Sequence, residues 1–233
     1  MRRLMALAVV VWVTLIGGVV TVVVRATGHS SAAVGQLASL LAHGHADTIA
    51  LAVAPRARAV LTADHLQSTW DAMTRGTGPL RGVTKTIVVR EGGDAQDEIE
   101  LLSFGGVHIG VLSARRDGSR ITGLTMVGGT SDRAAAAAGA EYALDLVGGH
   151  ADVVRGRFDA QMASVLSGDQ LAAQTARATA GLHPPTHVAA QVVVVQTGYT
   201  VVETYLVFSD GVRRIESTFG PDGTIAGLYI RPL

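Results

Sequence analysis

The sequence predicts an α+β protein, in which an N-terminal transmembrane helix precedes two repeated α-α-α-β-β-β-β units with antiparallel sheets. Residues 4–24 form a continuous apolar segment, and the remainder of the chain contains the same motifs twice in the same order. In each copy, apolar residues recur first with helical and then with strand spacing. The predicted domains are residues 1–28 as cytoplasmic tip and transmembrane anchor, 31–128 as the first repeat and 131–233 as the second.

The apolar segment predicts a single membrane-spanning helix. Residues 4–24 read LMALAVVVWVTLIGGVVTVVV, with no charge before Arg25. At about 1.5 Å per residue this length just spans a hydrocarbon core of about 30 Å. The two preceding arginines stay in the cytoplasm under the positive-inside rule, so the C-terminal part is expected to be extracytoplasmic. The alternative is a signal peptide cleaved near Ala26 and Gly28, which would give a secreted protein.

The composition excludes several classes of protein. The 233 residues fit one or two domains of ordinary size. The 19 basic and 19 acidic side chains cancel, which argues against a nucleic-acid partner. The chain has no cysteine, and this excludes disulfides, thiolate metal sites and a cysteine nucleophile.

The repeat is visible as motifs at one fixed offset. GHAD occupies residues 44–47 and again 149–152, and VLTADHL at 60–66 corresponds to VLSGDQL at 165–171. The same offset aligns Glu98 with Glu203 and keeps most turn glycines in register. A shared offset over most of each copy predicts a duplication.

Helix signals come first in the first repeat. Ser31 is predicted to cap a helix through AAVGQLASLLAH, which Gly44 ends in a left-handed conformation. Asp47 is predicted to cap a second helix, TIALAVAPRARAVL, and Thr62 or Asp64 a third, HLQSTWDAMTR. Strands are expected at about 83–90, 97–104, 107–114 and 120–127, with glycine-containing hairpins at SFGGV and RRDGS.

The second repeat follows the same plan. Ser131 or Asp132 caps the predicted helix TSDRAAAAAGAEYALDLV, and the next helices are VRGRFDAQMASVL and DQLAAQTARATAG. The strands are VAAQVVVVQTG, TVVETYLVFSD, GVRRIESTF and TIAGLYIRP. Alternation in YTVVETYLVF suits an antiparallel sheet with helices on one face.

The helical part of each repeat resembles the bacterial domain of unknown function numbered 3887. Phe158, Asp159 and Met162 match its FD..M motif, and Trp70 stands where the family often has tryptophan. The first repeat departs from the motif with Val53-Ala54 at the FD position. The resemblance implies a cystatin-like fold of the nuclear-transport-factor-2 type, whose curved sheet wraps a long helix and leaves a cone-shaped pocket. It implies no activity and supplies no catalytic residues.

The repeated GHAD motif allows two interpretations. As a corner between two helices, its glycine ends one helix and its aspartate caps the next. As chemistry, its histidine and aspartate would form an acid–base pair, which needs a shared cleft and hydrogen-bond reach to a substrate. Two residues within a three-residue turn rarely share a cleft, so we favour the corner.

No other motif predicts catalysis or a bound metal. HPPTH at 183–187 spaces two histidines as a helix would for zinc, but its two prolines forbid that helix. GTGPLRG at 76–82 is neither a dinucleotide fingerprint nor a phosphate-binding loop, and the chain has no G-x-S-x-G elbow. We therefore expect no enzyme activity, no catalytic residue, no metal and no cofactor.

The candidate ligand-binding residues are aromatic or acidic side chains of the two repeats. The second repeat holds all four tyrosines and three of the four phenylalanines, and aromatic side chains favour ligand contact. The two aligned glutamates are expected on a solvent-exposed face of the sheet or at the mouth of a pocket, because acidic side chains are seldom fully buried unless they have a partner. The candidates are Tyr205, Glu203, Phe208, Trp70 and Glu98, although the position of Trp70 on an apolar helix stripe also fits a core residue.

Two functions follow from these observations. The first is a non-enzymatic, envelope-anchored binding or protein-interaction module. The alternative is a pocket, chiefly in the second repeat, that binds a small apolar ligand or acts on it. The expected partners are the membrane through residues 4–24, an envelope protein or a small apolar ligand, and no nucleic acid. The two repeats are expected to pair with each other as a pseudo-dimer within the chain.

Overall fold

One antiparallel sheet of eight strands, ordered β1 to β8 along the chain, organises the fold. The computed structural model describes residues 35–90, 94–196 and 198–232. The last strand of the first half, β4, pairs with the first strand of the second half, β5, at Thr130 and Val193. The predicted fold class, with a separate sheet for each cystatin-like unit, is therefore wrong. Strand pairing between the halves depends on backbone contacts remote in sequence, which a repeat pattern does not encode.

Each half begins with helices and ends with four strands. The helices are α1 (Leu37–Ala42), α2 (Ala46–Ala52), α3 (Ala63–Thr77), α4 (Arg133–Val147), α5 (Ala151–Arg155), α6 (Ala160–Val165) and α7 (Gly168–Ala178). A short 3₁₀ helix spans Pro55–Ala57. The strands are β1 (Gly82–Arg90), β2 (Ala95–Ser103), β3 (His108–Asp117), β4 (Arg120–Thr130), β5 (His187–Gln196), β6 (Tyr199–Phe208), β7 (Gly211–Phe219) and β8 (Ile225–Pro232).

The membrane prediction needs a correction. In residues 35–90, 94–196 and 198–232, no helix is long and apolar enough to cross a membrane. This finding conflicts with the predicted single-pass transmembrane protein. The apolar segment 4–24 and the cap at Ser31 lie outside the described residues. The extracytoplasmic location stays a prediction.

Side-chain caps position the long helices. Thr62 accepts a hydrogen bond from the backbone N–H of His65 at the start of α3, and Asp132 accepts two at the start of α4. Ser167 forms a reciprocal capping box with Gln170 at the start of α7. Each such cap stabilises a helix by about 1 kcal/mol, because it satisfies N–H groups that have no partner within the helix.

Both GHAD motifs are corners between two helices. Gly44 has φ +75° and Gly149 has φ +86°, the left-handed backbone conformation that commonly ends an α-helix. The predicted caps are wrong in detail, since a histidine precedes each next helix and makes no side-chain cap. Asp47 and Asp152 lie instead in the first turn, where a negative charge interacts favourably with the helix dipole.

Two predicted helices are interrupted. Pro55 ends the second helix of the first half, because proline lacks the N–H that the next turn needs. In the second half the predicted helix separates into α5 and α6 around Phe158, which forms an isolated parallel bridge with Ile225. Asp159 then caps α6 by accepting a hydrogen bond of 2.6 Å from the N–H of Met162. Val53 forms the corresponding bridge with Ile121 in the first half.

Three apolar clusters stabilise this arrangement. The first lies between α1–α3 and the sheet and includes Trp70, Phe104 and Leu112. The second lies between α4–α7 and the sheet and includes Phe208 and Phe219. The third joins the halves through one face of each sheet half, with members such as Val111, Tyr205 and Val212. The sheet therefore folds on itself, so that its two halves pack face to face.

Two consecutive glycines in β4 allow this strand to lie close to α3 and β5. A Cβ on Gly128 would lie 2.6 Å from Met73 Cγ of α3. On Gly129 it would lie 2.8 Å from Val192 Cγ1 and 2.9 Å from the carbonyl carbon of Val193. Real Cβ atoms do not approach so closely, so these positions need glycine for β4 to meet α3 and β5.

The strands do not keep the offset found in the sequence. In β2, Glu98, Glu100 and Leu102 occupy every second position and share one face of the sheet. Leu102 belongs to the first, helix-facing cluster, so this face is the helix-facing one. In β6, Glu203 lies two residues from Tyr205 and so shares its face, which belongs to the cluster between the halves. A shift of one residue reverses the face of every side chain in a strand. The two glutamates aligned by the repeat therefore occupy opposite faces of their sheet halves.

Candidate functional site

A groove of about 1100 Å³ lies where the two halves meet. The first half contributes α3 and β4, and the second contributes α6 and strands β5–β8. Its floor is the face of the second half that also carries Tyr205 and Val212. The first half covers that face at Tyr205 and Val212, whereas Val201, Glu216, Thr218 and Tyr229 in the neighbouring rows stay partly exposed. The groove therefore results from incomplete overlap of the two sheet halves.

Register places the floor residues in two rows across the strands. Val201 of β6 lies opposite Thr218 of β7, which lies opposite Gly227 of β8. In the adjacent row, Glu203 lies opposite Glu216, which lies opposite Tyr229. Side chains directly opposite on antiparallel strands have Cβ atoms about 4.5–5.5 Å apart, so each row forms a continuous surface.

Apolar side chains are exposed around this groove. Val165, Val195, Tyr199 and Tyr229 are 68, 72, 49 and 52 % exposed, and all four line it. They are four of the ten large hydrophobic side chains that are exposed among the described residues. Single exposed apolar residues are common, but several around one concavity are typical of a binding site.

Glu203 supplies a buried acid to the floor. Only 7 % of the residue is exposed, and its Oε2 lies 3.3 Å from Nε of Arg214. That oxygen accepts no hydrogen bond from the described residues. Burial raises the pKa of Glu203 to about 7, Arg214 lowers it, and the nearby Glu216 raises it. Glu203 can therefore change protonation near neutral pH when a charged group enters the groove.

Tyr205 lies next to this row but under the first half. It is fully buried among the residues that join the halves, and its hydroxyl has no hydrogen bond of good geometry. Burial raises the pKa of Tyr205, so the phenol is neutral at physiological pH. Of the predicted candidates, Glu203 lines the groove, whereas Tyr205 lies on the same face of the sheet but in the covered cluster next to the groove.

Phe208 and Trp70 lie elsewhere, within the helix-facing clusters. Phe208 is 2 % exposed among the residues under α4 and α7. Trp70 is 3 % exposed, with its ring centroid 6.3 Å from that of Phe104. Trp70 also borders a smaller cavity of about 530 Å³ between α1, α3 and β1. Trp70 and Phe208 are therefore core residues of their own halves.

Glu98 holds the start of α1 rather than a ligand site. Its carboxylate accepts a hydrogen bond of 2.8 Å from Nε of Arg116 and another from the N–H of Gly35. Glu100, which the sequence did not single out, accepts hydrogen bonds from the N–H groups of Leu37 and Ala38 at 2.8 and 2.9 Å. Burial raises the pKa of Glu100 to about 7, despite these two bonds.

The histidine motifs do not gather into a metal site. His183 of HPPTH is exposed and lies 3.1 Å from Asp210 through Nδ1. His150 of the second GHAD lies 3.3 Å from Asp145. Across the described part of the chain, no group of three or more histidine, aspartate and glutamate side chains could hold a metal ion.

Sequence reasoning missed Glu216, Thr218 and Gly227 on the groove floor. The available signal was alternation in GVRRIESTF, which places Glu216 and Thr218 on the face shared with Arg214. Comparison of the chain with family models, curated proteins and solved structures found no match. The resemblance to the domain of unknown function numbered 3887 therefore stays a prediction.

Proposed function

We propose that this chain is a non-enzymatic binding protein, and that the groove between its halves takes a ligand with an apolar body. The observation that carries the proposal is the groove of about 1100 Å³ with four exposed apolar side chains around it. Ligand sites are typically concave, largely apolar and about 300–1000 Å³, with few polar groups.

The position of the groove favours a ligand over a flat protein interface. Val201, Thr218 and Gly227 form a floor that α3 and α6 flank as walls. A concave floor with two walls encloses most of a small molecule, whereas a protein partner needs a broad complementary surface. A pocket within one repeat has less support, because Trp70 and Phe208 are buried in the cores of their halves and the cavity beside Trp70, about 530 Å³, is half the size of the groove.

We also propose that the two halves act as a dimer within one chain. The shared apolar cluster contains Val111 from the first half and Val212 from the second. The N–H of Val212 also donates a hydrogen bond of 3.1 Å to Oδ2 of Asp97. In this proposal, pairing of the halves is what creates the binding site.

The test is binding of a neutral apolar dye, Nile red, to the full-length chain, followed by its fluorescence. Replacing Thr218 on the floor with tryptophan should fill the groove and weaken dye binding at least tenfold. The control replaces Val60, which is 66 % exposed outside the groove, with tryptophan, and dye binding should stay unchanged. Equal binding by the wild type and Thr218→Trp would overturn the proposed site.

A further inference from the structure

We propose that the ligand is a cationic amphiphile, whose amine lies between Glu203 and Glu216 while its apolar body lies against Val201, Tyr199 and Tyr229. This inference rests on the proposed function and adds the chemical class of the ligand. Three observations support it. The two acids lie opposite each other, one carboxylate oxygen of Glu203 accepts no hydrogen bond from the described residues, and the described lining of the groove contains acids but no lysine or arginine.

The two acids lie directly opposite each other on neighbouring strands. Glu203 of β6 pairs in register with Glu216 of β7, so both side chains extend from the same face into the groove. Like charges at directly opposite positions destabilise a sheet. A cation placed between them would remove that repulsion, which gives a ligand amine a favourable binding energy.

Arg214 compensates only part of this negative charge. Its Nε lies 3.3 Å from Oε2 of Glu203, but that oxygen, with Glu203 more than nine-tenths buried, accepts no hydrogen bond. Glu216 makes no ion pair or side-chain hydrogen bond within the described part of the chain. Arg231, the other nearby cation, lies with its guanidinium 5.3 Å from the centroid of the Tyr229 ring.

The rest of the lining fits an amine better than an anion. The ionisable lining residues are Asp159, Glu203, Glu216, His108 and the two tyrosines, and no lysine or arginine of the described chain lines the groove. Asp159 is engaged as the cap of α6. The Tyr229 ring lies in the same row as both glutamates, and aromatic faces attract cations. Acids and aromatic rings around an apolar floor are the usual chemistry of amine recognition.

The test compares three probes of equal chain length by isothermal titration calorimetry on the full-length protein at pH 7.5. Octylamine is the cation, 1-octanol the neutral probe and octanoate the anion. We expect octylamine to bind at least fivefold more tightly than 1-octanol, and octanoate to bind most weakly. Glu216→Gln should weaken octylamine binding at least fivefold and change 1-octanol binding by less than twofold.

A second variant and a control keep the result interpretable. Glu203→Gln should also weaken octylamine binding, while Glu141→Gln, on α4 outside the groove, should leave it unchanged. Equal binding of octylamine and 1-octanol would overturn the amine inference and leave the apolar groove standing. Failure of all three probes to bind, together with loss of the Thr218→Trp effect on Nile red, would overturn both proposals.

Discussion

Replacing Gly129 with alanine tests whether the two halves join as described. The added Cβ would lie 2.8 Å from Val192 Cγ1 and 2.9 Å from the carbonyl carbon of Val193. Favourable carbon contacts lie at about 3.5–4.0 Å, so β4 and β5 would have to separate by roughly 1 Å. Overpacking of this kind costs about 1–3 kcal/mol, and alanine recovers only about 0.4–1 kcal/mol through the unfolded state.

The assay is urea unfolding of the full-length chain, with a control on the same strand. A Cβ on Gly123 of β4 would meet only Arg115 Cβ, at 3.8 Å, which is an ordinary contact. We expect Gly129→Ala to lower the free energy of unfolding by about 1–2 kcal/mol and Gly123→Ala to leave it unchanged or slightly higher. Equal stability of Gly129→Ala and the wild type would refute the close approach of β4 and β5.

The remaining predictions concern buried charges. Burial raises the pKa of Glu100 and Glu203 from 4.5 to about 7, so their contribution to stability is complete below pH 4.5 and is lost as the pH rises through 7. Urea denaturation should therefore give a lower free energy of unfolding at pH 8 than at pH 5. Glu203→Gln should reduce this difference between the two pH values. An unchanged difference in the variant would contradict the burial of Glu203. Arg116→Met should cost about 3–5 kcal/mol, because it leaves the Glu98 carboxylate buried without its cation. Adding Glu98→Gln to Arg116→Met should restore most of the loss, and an additive double variant would contradict their pairing.

Local signals in the sequence predicted much of the secondary structure. Thr62 and Asp132 were among the predicted caps, and both are confirmed at the starts of α3 and α4. The glycines of SFGGV and RRDGS are also confirmed in hairpins, where Gly106 and Gly118 have positive φ. Such signals act within a few residues, so they can be recognised without knowledge of the fold.

The joining of the halves could not be predicted in the same way. Pairing of Thr130 with Val193 connects strands 63 residues apart and leaves no periodic pattern. The consecutive Gly128 and Gly129 were the only local sign, because a strand interior without side chains often marks a close backbone approach. A sequence read as two repeats suggests two sheets, whereas the backbone groups at the end of β4 find partners in β5.

The site was predicted only in part. The repeat aligns Glu203 with Glu98, yet the two glutamates face opposite sides of their sheet halves. The aromatic rings of Trp70 and Phe208 predict ligand contact, but both rings are buried in the cores. Alternation in GVRRIESTF indicates the face on which Glu216 lies, but its position opposite Glu203 depends on the register between β6 and β7. Residues that meet only through strand register need the structure to be recognised.

Native mass spectrometry of the full-length chain, purified from its own host, tests the central claim most directly. We predict a bound molecule that leaves on denaturation, has the mass of a compound with an apolar body, and is absent from Thr218→Trp. A wild-type protein without added mass, or the same added mass on Thr218→Trp, would contradict the claim that the groove between the halves is a ligand site.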